Sequence, residues 1–98
     1  MNLKKLFKKT NNLKRNVYAV ETGFLIGNFL TIIDFDNINK NYQVLACKID
    51  EDRPKALEIS EKDIHEGIKN GILNYVETLN KKIYKGCKKE YNLIKNTK

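Results

Sequence analysis

From Asn80 onward the sequence sorts its apolar and charged residues onto two sides of one helix. Ile83, Tyr84, Cys87, Tyr91 and Ile94 fall on a single arc, and Lys81, Lys82, Lys85, Lys88 and Lys89 fall on the opposite one. Asn80 supplies an N-cap, and Gly86 weakens the helix locally. An apolar arc of this kind needs an apolar partner, and a chain of 98 residues has room for one domain rather than two. The lysine arc is therefore expected to face outward, where its ammonium groups repel one another unless an anion lies against them.

The partner surface is expected from short strands. Val17–Val20 and Phe29–Ile33 are rich in β-branched and aromatic types, with Gly23 and Gly27 marking a turn or bulge between them. Asp34–Asn41 reads as turn material with Asp36-Asn37 at its tip. Tyr42–Ile49 alternates weakly and reads as a third strand. Asp50-Glu51-Asp52-Arg53-Pro54 is a loop, since proline has no place in a central strand. Lys55–Ile59 gives a fourth strand with Leu57 and Ile59 on one face. Ser60 then caps a short helix, with Asp63 as a weak capping-box partner, and Asn70-Gly71 stops it. The run after that stop has two readings. Ile64, Ile68, Ile72, Val76 and Leu79 would line one helical face, or Ile72–Thr78 forms a fifth strand. The strand is preferred, because Gly67 and Gly71 each cost a helix about 1 kcal/mol relative to alanine.

Charge is segregated along the chain. Residues 1–16 hold Lys4, Lys5, Lys8, Lys9, Lys14 and Arg15 and no acid, a charge of +6. Residues 17–79 hold eleven acids and six bases, or −5, and residues 80–98 hold seven lysines against Glu90, or +6. Two basic ends around an acidic middle attract polyanions and speed encounter with them. Within the first segment, Leu3, Leu6 and Phe7 have helical spacing with lysines between, which predicts a short basic helix over 2–9 ended by Thr10-Asn11-Asn12. Three apolar side chains with four lysines give only weak, reversible adsorption to lipid, so a membrane surface is not the expected partner. No apolar stretch of signal-peptide or membrane-span length occurs, so a cytoplasmic location with reduced cysteines is expected.

Catalytic constellations are missing. His65 is the sole histidine, without a second nitrogen or thiolate at metal-ligand spacing, and is expected as an ordinary surface residue. Cys47 falls inside a strand and Cys87 on the packed arc of the last helix, where thiols are usually inert. Asp50-Glu51-Asp52 lacks the alternation, central glycine and terminal glutamate of a calcium loop. Gly23 and Gly27 lack the Lys-Ser/Thr pair of a phosphate-cradling loop. No catalytic residue, metal site or cofactor is expected, and the chain is read as a binder rather than an enzyme.

The residues Val20-Glu21-Thr22-Gly23, then Gly27, then Ile32-Ile33 resemble the V-x-x-G…G…hydrophobic pattern of KOW and SH3-like barrel modules. The order of short strands, a helical turn and a final strand is also similar to that fold. The family's basic residue after the loop is missing, so no site residue is carried over. In size and lysine-asparagine-isoleucine style the chain resembles small basic accessory proteins of phages or plasmids in low-GC Gram-positive bacteria. The expectation is an α+β domain over 17–98, a small antiparallel sheet of four or five strands packed by the C-terminal helix, with a short basic N-terminal helix or arm over 1–16. Its expected role is DNA or RNA binding at phosphates through Lys4, Lys5, Lys8, Lys9, Lys14, Arg15, Lys81, Lys82, Lys85, Lys88 and Lys89. Lysine does not read bases bidentately as arginine does, so sequence-specific reading is poorly supported. The alternative is a mobile-element inhibitor or adaptor that docks on a host protein such as a nuclease or defence factor, its acidic middle mimicking nucleic acid.

Overall fold

The computed structural model describes residues 13–21, 28–48 and 53–96. Among them the chain runs β1 (Asn16–Val20), β2 (Phe29–Asp36), β3 (Asn41–Cys47), β4 (Lys55–Ser60), α1 (Glu61–Lys69), β5 (Leu73–Thr78) and α2 (Lys81–Asn96). The helix expected over 2–9, the Gly23 and Gly27 turn and the Asp50-Glu51-Asp52 loop lie outside the described residues.

The strands form one sheet in the order β4-β3-β2-β1-β5, with every neighbouring pair antiparallel. Four strands follow one another as a meander. α1 then carries the chain from the β4 edge to the other edge, where β5 joins β1. This α+β architecture is the one expected, and the strand reading of the segment after Gly71 is correct. The stop signal decides that segment. Asn70 caps α1, Gly71 takes a left-handed φ of +76°, and the amides of Asn70, Gly71 and Ile72 bond back to Glu66, Ile68 and Gly67. At the helix start Ser60 accepts the Asp63 amide at 3.1 Å, the N-cap bond expected of it.

Pleating sends alternate side chains to opposite faces, and a separate cluster covers each face. On one face Tyr18, Leu30, Ile32, Tyr42, Val44, Ala46 and Leu73 pack with Ile64 of α1. Gly67 lets α1 approach β5 closely, since a methyl group there would stand 3.0 Å from the Leu73 side chain. On the other face Ile33 and Leu45 pack with Tyr91 of α2, flanked by Ala56, Cys87 and Ile94. The two helices therefore lie on opposite faces of the sheet.

Three expectations need correction. Asp34–Asp36 continue β2, and the turn is Asn37–Lys40. The Asp36 carboxylate accepts the Asn39 side-chain amide and the Asn39 and Ile38 backbone amides, and these bonds hold its carboxyl below the usual range. Ile83, placed on the packed arc of the last helix, is 52% exposed. α2 packs on β2, β3 and β4 through Cys87, Tyr91 and Ile94, with Tyr84 bonded to Ile33, and Ile83 falls at the opposite edge of that arc from Tyr84. His65, expected as a surface residue, is half-buried with its Nε2 3.3 Å from the Tyr42 hydroxyl.

Tyr42 is fully enclosed, and burial pushes its hydroxyl up to about 12. An unfolded tyrosine ionises near 10, so the folded state keeps this proton longer than the unfolded one. The stability tied to it is intact below about pH 10 and is lost as pH rises through about 12. Denaturant titrations across that window are expected to show the wild-type chain losing stability relative to Tyr42→Phe, and parallel curves would exclude the effect.

Candidate functional site

The site begins at an irregularity in β2. Ile32 pairs with Val44 and Asp34 with Gln43, so Ile33 is an extra residue, a β-bulge. Three consecutive residues of this bulge fasten two other pieces of the chain. The Ile32 carbonyl accepts the Arg15 amide at 2.9 Å. The Ile33 carbonyl accepts the Tyr84 hydroxyl at 2.6 Å. The Asp34 carboxylate pairs with the Lys14 ammonium at 3.1 Å. A short segment of β2 thus aligns the turn before β1 with the first turns of α2.

Between those two pieces lies an open cleft of about 410 Å³, lined by Lys14, Arg15, Lys81, Tyr84, Lys85 and Lys88. Five of the six lining residues are cationic and none is acidic. Lys14 and Arg15 form one wall at the centre of a tight turn, closed by the Asn16 amide bonding to the Leu13 carbonyl at 3.0 Å. Leu13 packs against the α1-side core, and the Arg15 carbonyl accepts the Leu79 amide at 2.8 Å, so this wall is part of the folded body. Lys81, Lys85 and Lys88 form the other wall, where the i, i+4, i+7 spacing puts them on one helical face. Tyr84 stands between, half-buried, its hydroxyl pushed up by burial, with Lys14 and Arg15 lowering it and Asp34 raising it.

Two features of this site run against local stability. Arg15 has φ of +74°, a left-handed conformation that costs a side-chain-bearing residue about 1–2 kcal/mol. α2 opens with Lys81 and Lys82 and has no acid in its first turn, although the positive end of a helix dipole disfavours cations there by about 0.3–1 kcal/mol each. The Asn80 side chain caps the helix through the Ile83 amide at 2.9 Å, which secures a start that the charges oppose. Local rules broken at one spot are expected where a site, not the fold, sets the residues.

Of the eleven residues named from sequence, the structure brings Lys14, Arg15, Lys81, Lys85 and Lys88 to the cleft. Lys82 and Lys89 are exposed on α2 but do not line it. Lys4, Lys5, Lys8 and Lys9 lie outside the described residues. Among the described residues, none of Lys81, Lys82, Lys85, Lys88 and Lys89 has a carboxylate partner within ion-pair distance. Tyr84 was read from sequence only as a core residue. Its place on the arc margin beside Lys81, Lys85 and Lys88 is the one signal that pointed to the cleft.

Other chemistry is sparse. Burial pushes both the Cys47 and Cys87 thiols up, which keeps them protonated and poorly nucleophilic. Among the described residues no group of His, Cys, Asp and Glu could hold a metal ion, and no helix is long and apolar enough to cross a membrane. Comparison with protein-family models, with curated proteins and with solved structures finds no match to this chain.

Proposed function

We propose that the protein is a non-enzymatic nucleic-acid-binding accessory protein that holds phosphates in the basic cleft. The observation that carries this reading is the convergence of Lys14 and Arg15 with Lys81, Lys85 and Lys88, from segments 65 or more residues apart, around a cleft with no acid in its lining. Converging cations of one sign in a concave, partly apolar surface focus field on an anion. The mixture is dominated by lysine, which suits phosphate contact without base selection.

The test is a binding titration against salt. If the four cleft cations other than Lys14, which is paired with Asp34, each neutralise one phosphate, log K falls against log salt with a slope of about −3.6 on duplex DNA. A slope near zero would remove the proposal.

Arg15 gives a sharper version of the same test. Glycine adopts φ of +74° without strain but loosens the unfolded chain. Arg15→Gly is therefore expected to leave stability unchanged or raise it by up to about 1 kcal/mol. The same change removes one cation and is expected to flatten the salt slope by about 0.9. Thermal melts and the salt titration read the two effects separately, and unchanged binding would take Arg15 out of the site.

A further inference from the structure

We infer that the cleft seats one nucleotide unit of a single strand, its base against the Tyr84 ring and its flanking phosphates on the cations of the two walls. This rests on the nucleic-acid reading above and narrows its ligand from polyanions in general to unpaired strands.

The shape argues first. A duplex is read by a convex element, a helix or β-ribbon, that enters a groove. Here the cations face each other across a concavity of about 410 Å³, within the range of sites that take a small molecule. A rod carrying paired bases meets only the rims of such a cleft. A single strand can turn one base inward and leave its backbone at the rims.

The chemistry of the floor argues second. The Tyr84 hydroxyl is committed to the Ile33 carbonyl at 2.6 Å, so what Tyr84 offers the cleft is its ring. Lys81, Lys85 and Lys88 line the same cleft, and lysine stems can extend an apolar surface while keeping their ammonium groups in water. An aromatic platform inside a positive groove is the arrangement that holds unpaired bases without selecting among them. Arg15 adds a planar cation that can lie along a base or a phosphate.

The rigidity of the parts argues third. Arg15 is bonded through its backbone to Ile32 on one side and Leu79 on the other. Tyr84 is held by its hydroxyl and by the helix that carries it. Groups fixed before the ligand arrives lose less freedom when it binds.

The experiment uses the full chain with four labelled probes: a thymidine oligomer, a uridine oligomer, a mixed-sequence duplex and heparin. Both single strands are expected to bind at least about fivefold more tightly than the duplex. Tyr84→Leu is expected to lose about 5- to 150-fold on the single strands, the range of one lost base stack, while duplex and heparin binding change little. Tyr84→Phe, which restores the ring, recovers single-strand affinity relative to the leucine variant. The chain has no tryptophan, so tyrosine emission supplies a readout that does not depend on the leucine variant folding. Single strands are expected to quench the wild-type chain more than the duplex does. Equal affinity for single strand and duplex, absent quenching, or a folded Tyr84→Leu with undiminished single-strand binding overturns the inference and leaves the phosphate-binding reading standing. Failure of all four probes to bind with a salt-dependent constant takes down both.

Discussion

Neutralising Lys81, Lys85 and Lys88 together with glutamine is expected to weaken nucleic-acid binding by roughly 10²–10³-fold near 0.1 M salt and to reduce the salt slope by about 2.7. The three lysines sit on one face of α2 and form one wall of the cleft, so their loss leaves only the Lys14 and Arg15 wall. The same variant is expected to be slightly more stable than the wild-type chain without ligand. It removes repulsion between lysines spaced i, i+3 and i, i+4, and it takes one cation from the start of the helix. Binding and stability moving in opposite directions identify residues kept for contact rather than for folding. The control is Lys62→Gln with Lys69→Gln, on α1 across the sheet, where both side chains are exposed. If the control weakens binding as much per charge as the cleft variant does, net charge rather than the cleft is responsible.

The second large effect is on stability. Tyr91 is the buried residue of α2, 1% exposed against Ile33 and Leu45. Truncating a buried aromatic side chain of this size costs about 3–5 kcal/mol, a large share of the roughly 5–15 kcal/mol that holds a domain together. Tyr91→Ala is therefore expected to lower the denaturant midpoint sharply. The α1-side cluster does not use Tyr91, so helical signal is expected to fall before the sheet unfolds. Binding should fall with it, because an unseated α2 removes a wall of the cleft. Leu93→Ala is the comparison, a position 54% exposed on the same helix and expected to cost little. Similar losses for the two variants would show that α2 is not anchored through Tyr91.

The strands were legible because their side chains are. Ile32-Ile33, Val44-Leu45 and the Leu57, Ile59 alternation fit a pleated, half-buried surface and little else. The strand after Gly71 is preferred from the sequence because Gly67 and Gly71 each weaken a helix, yet Gly67 lies inside α1 and it is Gly71, with Asn70, that ends it. The outward lysine face of α2 was legible from its period alone, and its apolar arc was read correctly except at Ile83. That exception is tertiary, because periodicity places a residue on an arc but does not say how much of the arc the sheet covers. The half-buried His65 is similar, since nothing local shows that β3 brings Tyr42 under it. The convergence of Lys14 and Arg15 with α2 could not be read from sequence. It depends on which face α2 takes and on the bulge at Ile33, and no residue type in Thr31-Ile32-Ile33-Asp34 announces a bulge.

The bulge carries a consequence for how such a chain can change. Leave Ile33 out of the count, and Leu30, Ile32 and Phe35 alternate with Thr31 and Asp34 as in an unbroken hairpin, with Leu30, Ile32 and Phe35 still opposite Ala46, Val44 and Tyr42. The principal core therefore has no need of that residue, whereas the seat of Tyr91 and the carbonyl that tethers Tyr84 both do. Loss of that single codon would take the seat of Tyr91 and the tether of Tyr84 from one face, with the cluster of buried side chains on the far face left in register.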